Sequence, residues 1–584
     1  MTLNENEILR ISSEAMFRMD LISLPRGRKT LGLHVRTLAE TSSYELAPTE
    51  AQLFLHFNGI RSIIDIVNIF SSRSRSRIAN AKTKDLIIGF AKNLVDLGLL
   101  MKSPKPTKDP RTEDMACFLA SIKKSTPRRY KKKNTPRLQL SKSEQIKVFT
   151  VRKRFSGLLK EKVKVKVSKL TPPFAEGLLH LFSTEFEGRG KKSALGKITG
   201  SGVATTVEGA ALASVAEALE RHQSFDGKAD LNGKSFEEMR SINRKALNPR
   251  SFQPYSPEQT IIKNHEVAFP SDKTIFNWVN FEDATATKRK ILIPSDINGT
   301  VPISSSKASF LCEGTSNGCA ADIFVERAKL RATLELIERD GVLFYWRTRN
   351  TPEKVDVSKT NERLGTLLYS LGPLRKRVHF FLLKTELAAV TAQAIFLGKS
   401  NLKEPLFVST SASRLSASDA IEKALVELIY VLEGNKWSGY RHNVNYGRFF
   451  DNSIWGIDDH FQLYANHPLR EAYGFLFPRR PKIIPFSELP TFETGDYKKN
   501  LEFLISDFRR NNLRLYFRNN TRELAHSVGF HVIRAFSPDL FYLDGLHRFR
   551  ALGQRRYYTL PKRLGLKSRP AKSSELNPWP HPIP

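Results

Sequence analysis

Thr315-Ser-Asn-Gly-Cys-Ala-Ala-Asp-Ile-Phe-Val-Glu-Arg-Ala-Lys-Leu-Arg-Ala-Thr-Leu-Glu-Leu-Ile-Glu-Arg-Asp-Gly341 is the stretch on which the reading of this chain turns. A polar turn leads into a helix whose apolar Ala328, Leu330, Ala332, Leu334 and Ile337 are interrupted by Glu335 and Glu338. Carboxylates at i and i+3 project from one helix face. A near twin precedes it, Ser214-Val-Ala-Glu217-Ala-Leu-Glu220-Arg221. A single Glu-x-x-Glu is often an ordinary surface paired with nearby Arg. Two such copies, each embedded in Ala and Leu, point instead to one shared site.

Four converging carboxylates would repel one another unless cations neutralised them. Hard Mg2+ with oxygen ligands answers that need, bound through a few carboxylates plus substrate phosphates. Glu217, Glu220, Glu335 and Glu338 are the expected metal ligands. Arg221 and Arg339 suit phosphate oxygens. Ser316-Asn317-Gly318, ahead of the second helix, offers backbone N–H groups and polar side chains to an anion. A third helix, Ala424-Leu-Val-Glu427-Leu-Ile-Tyr430, repeats the pattern with one carboxylate, which suggests a pseudo-symmetric core.

Composition sets the frame. A chain of 584 residues should hold two or more domains, and an apolar fraction of 40% with 38 Phe is that of a globular protein. The 93 Lys+Arg against 59 Asp+Glu give a net charge of +34, which implies an anionic partner or a strongly basic solvated surface. Cys117, Cys312 and Cys319 form no Cys-x-x-Cys pair. That argues against a zinc ribbon or a disulfide scaffold and suits a reducing cytoplasm. The N-terminal Met-Thr-Leu-Asn-Glu-Asn-Glu does not read as a signal peptide. The most apolar run, from His379 to Leu397, is broken by Lys384 and Glu386, so a soluble, cytoplasmic protein without a membrane partner is expected.

Residues 1–104 read as a small sheet followed by three helices. The strands are Met16–Ile22, Thr30–Arg36 and Ser43–Leu46. The helices run from Pro48 to Phe57, closed by Asn58-Gly59, then over Ser62–Phe70 and Thr83–Leu97. This pattern suggests a winged helix-turn-helix. Residues 105–145 are a basic, Pro-containing linker with one amphipathic piece at Glu113–Ile122. Residues 146–584 mix strands, among them Ile291–Pro294, Arg377–Leu383, Val390–Phe396 and Phe530–Phe536, with amphipathic helices. The expected class is α+β.

Other motifs fail on spacing. Gly190-Lys-Lys-Ser-Ala-Leu-Gly196-Lys197-Ile198 has one residue too many between its glycines for a P-loop, and Ile198 stands where Ser or Thr must meet Mg2+. The histidines show no His-Glu-x-x-His spacing. Gly314-Thr-Ser316-Asn-Gly318 matches the serine-hydrolase elbow in letters, which also requires a strand–turn–helix setting.

Taken together, the Glu217/Glu220 helix, Ser-Asn-Gly at 316–318, Glu335-Leu-Ile-Glu338-Arg-Asp340 and the Glu427 helix resemble the YcaO-domain family. Ser214-x-x-Glu217-x-x-Glu220-Arg221 fits a family motif in full. The closing Pro580-His-Pro582-Ile-Pro584 matches the Pro-x-Pro-x-Pro tail of members that form azolines in thiazole/oxazole-modified peptides. The resemblance covers about residues 190–584. It implies ATP and Mg2+ between the two Glu-x-x-Glu helices. It also implies cyclodehydration: a Cys, Ser or Thr side chain of a ribosomally made precursor peptide attacks its amide carbonyl, the oxygen is phosphorylated, and phosphate loss leaves the azoline. On that basis Ser214 and Arg339 are nucleotide contacts, and the Pro584 carboxylate is a catalytic acid/base delivered by the stiff tail at 576–584. The N-terminal domain resembles the leader-peptide-binding domains of such systems, which capture the leader as an added strand. A partner scaffold or dehydrogenase and a homodimer are compatible with the family; nucleic acid is not expected.

The chain also departs from the pattern. Many members read Ser-Asn-Gly-x-Ala-x-Gly-Asn-Thr-x-Glu-Glu-Ala, where this chain has Asp322, Ile323 and Phe324, and Arg327 for the second Glu. The usual Gly-Lys-Gly reads Gly200-Ser201-Gly202, leaving Lys197 as a displaced nucleotide contact, and a common Gln-x-Arg after Glu427 becomes Tyr430-Val-Leu432. The alternatives to a working cyclodehydratase are a degenerate scaffold that binds peptide and supports a partner enzyme, and a basic winged-helix DNA-binding regulator.

Overall fold

The structure, a computed structural model, describes residues 8–11, 16–23, 29–36, 41–46, 50, 53–54, 56–71, 77–96, 100–102, 163–170, 178–188, 197–224, 229–252, 254–256, 259, 270–286, 289–299, 311–312, 314–399, 404–438, 456–466, 469–545, 547 and 550–583. The basic linker at 105–145, with its amphipathic piece, lies outside the described residues. Chain contacts separate two compact units, one of Met1–Lys131 with Arg441–Trp455 and Asn466–Phe475, the other of Lys132–Tyr440, Gly456–Ala465 and Leu476–Pro584.

In the first unit β2 (Met16–Ser23), β3 (Lys29–Arg36) and β4 (Thr41–Leu46) form an antiparallel meander at the positions their alternation indicates. A second sheet has the order β5-β1-β6, from β1 (Ile8–Ile11), β5 (Asn58–Ser62) and β6 (Leu100–Lys102). Asn58-Gly59 therefore opens a strand as well as following a helical turn, because β5 finds its partner in β1. Helix α1 (Ile63–Ser71) starts where Asp65 accepts from both the backbone and the hydroxyl of Ser62, and the Asp65 amide bonds back to that hydroxyl. Helix α2 (Arg77–Asp96) follows, burying Ile87, Ala91 and Leu94 at i, i+4 and i+7.

Among the described residues the second unit holds three sheets. The first is β7-β8-β9, from β7 (Val163–Leu170), β8 (His180–Gly188) and β9 (Lys197–Ala204). The second is β10-β11-β19-β20-β13 with β12 added on β11. Its strands are β10 (Leu231–Ser235), β11 (Ile275–Asp283), β12 (Lys290–Pro294), β13 (Cys319–Asp322), β19 (Tyr516–Asn519) and β20 (His531–Phe536). The third is β17-β16-β15-β14-β18, from β14 (Glu353–Asp356), β15 (Val378–Leu383), β16 (Val390–Leu397), β17 (Phe407–Arg414) and β18 (Ile483–Pro485); β18 pairs parallel with β14. The apolar run His379–Leu397 thus spans an antiparallel strand pair. Among the described residues no helix is long and apolar enough to cross a membrane.

Three helices dominate this unit: α3 (Val207–Ser224), α4 (Val325–Thr348) and α5 (Ala417–Ser438). Each is entered from a strand, β9, β13 and β17 respectively, through a joint of two residues. Each packs back on the strand that feeds it. Glu217, Glu335 and Glu427 are each the eleventh residue of their helix. The sequence repeat is therefore a structural repeat, and one register brings equivalent positions of three helices to one place.

Candidate active site

The close seat of α3 on β9 begins with glycine. A Cβ on Gly200 would lie 2.3 Å from Ser214 O and Ala218 N, and one on Gly202 would lie 2.1 Å from Ala210 O. Only hydrogen fits there, so strand and helix backbones touch. That contact puts Ser201 against Glu217: its backbone N–H and its hydroxyl both donate to Oε2, at 2.8 and 2.9 Å. Arg221 completes the set, pairing with Glu217 Oε1 at 2.6 Å and donating to Thr199 O. Ser201 stands where the sequence pattern suggested a lysine, and it works as a clasp for Glu217. Lys197 opens β9, and its side chain lies outside the described residues. Ser214 is fully buried; its hydroxyl donates to Ala211 O and shares a hydrogen bond with Thr184 of β8.

On α4, Glu338 Oε1 accepts from the Arg339 guanidinium and from the Ser411 hydroxyl of β17, the latter at 2.8 Å. Glu335 bonds the Gly318 backbone N–H. Ser316-Asn317-Gly318 closes a tight turn, with the Cys319 N–H donating to Ser316 O at 2.9 Å and Gly318 at φ +78°. A Cβ on Gly318 would lie 2.6 Å from Ala535 O. The turn leads into β13, so the strand–turn–helix setting of a hydrolase elbow is absent at Ser316. Arg534 of β20, which no local pattern announces, braces this turn by donating to Thr315 O and Ile297 O.

Electrostatics join the three helices. Burial, then Glu335 and then Glu217, push the Glu220 carboxyl well above its ordinary range. Burial likewise raises Glu335 to about 7, with Arg339 opposing and Glu338 adding to the rise. Burial works against charge on Arg339, yet Glu338, Glu335 and Glu427 of α5 hold its pKa above the ordinary value. Tyr430 occupies on α5 the register of Glu220 and Glu338. Burial raises its phenol, Ser201 hydrogen-bonds it, and Glu217 and Glu427 lie within its field. Sequence reading missed Ser201, Ser411 and Tyr430 as members of this cluster. Their only signal was position, because none is a carboxylate or a base.

The donors fit an anionic group with a divalent cation. Among the described residues Arg339 Nε and Asn317 Oδ1 are buried and find no hydrogen-bond partner, an unusual cost unless a ligand uses them. Among the described residues no three His, Cys, Asp or Glu side chains converge as a ready-made cation cage. Mg2+ does not demand one, since it keeps waters and takes phosphate oxygens as ligands.

The lead-in to α4 shows how the departures are accommodated. Asp322 is buried, and Arg327 grips both its oxygens through Nε at 2.7 and 2.8 Å, with Arg331 adding a contact at 3.1 Å. Asp322 and Arg327 thus satisfy each other as one ion pair. At the other end of the chain, Pro584 lies outside the described residues, while Trp579 through Ile583 are buried.

A solved heterocyclase in complex with substrate and cofactor shares the fold at a TM-score of 0.59 and 18% identity, covering 87% of this chain and 68% of that one. The YcaO structure from Methanopyrus kandleri bound with AMPPCP and Mg2+ matches at TM-score 0.47 and 16% identity, over 68% of this chain and 91% of that chain. The E. coli microcin synthetase McbBCD complex matches at 0.46 and 13%, over 71% and 96%. No curated protein matches the sequence. The family model described as YcaO cyclodehydratase, ATP- and Mg2+-binding, matches residues 201–541, more than half of the chain, and spans all three helices. The chain belongs to the YcaO family of ATP- and Mg2+-binding cyclodehydratases.

Proposed function

We propose that this protein converts Cys, Ser or Thr residues of a ribosomally synthesised precursor peptide to azolines at the expense of ATP. The observation that carries the reading is that Glu220 on α3 feels the charge of Glu335 on α4 and of Glu217 on its own helix, which joins the two helices of one structural repeat electrostatically. ATP supplies the phosphoryl group that turns the peptide oxygen into a leaving group, and Mg2+ neutralises the phosphates. Glu220 and Glu335 would hold the Mg2+, whose charge would relieve their mutual repulsion. Glu217 and Glu338, already clasped by Ser201 and Ser411, would complete the ligand set. Arg339 directs its Nε–H to a phosphate oxygen, and Asn317 Oδ1 is an acceptor for a cation or for a hydroxyl of the nucleotide, with Arg221, Ser316 and Lys197 as further nucleotide contacts. Ser214 serves the nucleotide side by seating α3 against β8. The Pro584 carboxylate acts as acid/base toward the peptide.

Residues 1–104 are the leader-recognition domain in this proposal, a winged helix-turn-helix preceded by a meander. Two three-stranded sheets whose outer strands are unpaired on one side among the described residues suit capture of a leader as an added strand. Residues 105–145 connect it to the catalytic domain at 146–584. The test is ATP hydrolysis coupled to loss of one water per ring from a precursor peptide, measured by mass spectrometry. Absence of both in wild type, with Glu335→Ala indistinguishable from it, overturns the enzyme reading. A second reading, a scaffold that binds peptide and supports a partner enzyme, is favoured by the Asp322–Arg327 pair, which fills the nucleotide-side lead-in with a salt bridge.

A further inference from the structure

The head of α4 carries a surplus of positive charge beside the glutamates. Arg327, Arg331, Glu335 and Glu338 stand at i, i+4, i+8 and i+11 of that helix and so share one face. Arg331 is thus one turn, about 6 Å along the axis, from Glu335. Asp322, which closes β13 and is 2% exposed, meets both arginines. Arg327 takes both its oxygens through Nε and lies over the Phe324 ring. Arg331 reaches it through Nη1 in an ion contact at 3.1 Å, and keeps 58% of its side chain open to solvent.

The third guanidinium is Arg414, the last residue of β17, three beyond the Ser411 that clasps Glu338. It is half-buried and its Nη1 donates to Ser413 O at 2.7 Å. Among the described residues no carboxylate pairs with Arg414. Burial lowers the pKa of Arg331, Asp322 opposes, the charges of Arg327 and Arg414 lower it further, and Glu220 of α3 opposes. A side chain open to water and still penalised by the protein around it lines a concave wall. Arg414 and Glu220 lie within reach of that wall, since Arg331 feels both.

Three guanidiniums against the one carboxylate of Asp322 leave two positive charges, the charge of a phosphate dianion. Crowding like charges has a cost that an anion held between them removes. Planar forks on two different elements suit a tetrahedral oxyanion gripped from two sides.

We propose that Arg331 and Arg414 form a phosphate subsite on the Glu220 side of the cluster, in addition to the contacts of Arg339. Its ligand is a phosphate oxyanion, from the terminal phosphate of the nucleotide or from free inorganic phosphate. The proposal rests on the reading that nucleotide phosphates occupy this cluster.

Calorimetric titration of the full-length protein tests it, with wild type, Arg331→Gln, Arg414→Gln, Arg331→Lys and Glu335→Gln. The probes are a non-hydrolysable ATP analogue with Mg2+, ADP with Mg2+, and inorganic phosphate added to the ADP complex. With the terminal phosphate as occupant, each Gln variant weakens the analogue about tenfold or more and leaves ADP within about twofold. With free phosphate as occupant, the same loss falls on inorganic phosphate and the analogue stays within about twofold. Either pattern supports the subsite, and Arg331→Lys, which keeps the charge without the fork, then recovers part of the loss. Wild-type affinity for all three probes in both Gln variants overturns the proposal. If Glu335→Gln has meanwhile lost the analogue, the nucleotide reading stands without it. A loss in Arg331→Gln with none in Arg414→Gln overturns the two-arginine site, as does a loss of ADP equal to that of the analogue. A wild type that binds none of the probes overturns the subsite and the nucleotide reading together.

Discussion

Glu335 on α4 pushes up the pKa of Glu220 on α3, a repulsion between carboxyls far apart in the chain. Such a pair stores a cost in the empty protein that a bound cation removes. Glu335→Gln should therefore leave the apo Tm unchanged or raise it by about 1–2 °C. The same change should cut ATP hydrolysis by about a hundredfold or more. Thermal unfolding with and without MgATP checks the cause: wild type gains stability and the Gln variant gains little. An equal gain in both would remove Glu335 from the metal site.

The Asp322–Arg327 pair predicts a thermodynamic coupling. Arg327→Ala leaves a buried carboxylate held by Arg331 alone among the side chains, and should cost about 1–3 kcal/mol. Asp322→Gly in the same background removes the stranded charge, so the double variant should be more stable than Arg327→Ala. Urea unfolding of the four proteins gives the coupling. Simple additivity would mean that the two side chains are not energetically coupled.

Much of the site was readable because it repeats. The Glu-x-x-Glu spacing places both carboxylates on a helix face from local geometry alone, and three matching copies imply equivalent registers. What stayed hidden depends on contacts between distant segments. Cys319 pairs with Arg534 across β13 and β20, and Asp283 with Tyr516 across β11 and β19. No periodicity within either strand names its partner. Asn58-Gly59 shows the same limit: the dipeptide signals the end of a helix, but the strand it also opens exists only because β1 lies alongside. The hydrogen bonds that hold Pro578, Trp579 and Pro580 were equally invisible, since their donors come from α4, Tyr464 and Arg550.

Backbone contact between β9 and α3 predicts an effect out of scale with one methyl group. Gly202→Ala places a carbon 2.1 Å from Ala210 O and 2.4 Å from Ser214 N, both on backbone that cannot swing aside. Strand and helix must part, and Ser201 then leaves Glu217. The expected loss is about 3 kcal/mol or more. It should come with an ATPase defect that lower temperature does not restore. A Tm within a degree of wild type would show that the helix seats less tightly than this geometry requires.

The histidines beneath the tail give the protein a sensitivity to acid. Burial lowers His460 well below its ordinary pKa, with His581 and Arg347 adding to the effect, and His581 stands at about 4. His547 packs on His460 from a third side, and Asp544 is the acidic neighbour of His581. In the unfolded chain these rings take protons near pH 6.5. Between about 6.5 and 4 the unfolded state therefore binds more protons than the folded one. Their contribution is fully present above about pH 6.5 and is lost as pH falls toward 4. For His581 alone the span is worth about 3 kcal/mol. His581→Gln keeps an N–H donor for Asp544 O without a group that titrates. Its stability at pH 7 should be close to that of wild type, and its loss between pH 6.5 and 4.5 should be visibly smaller. Thermal unfolding across that range is the measurement, and superimposable pH profiles for the two proteins would show that His581 is not the group that titrates.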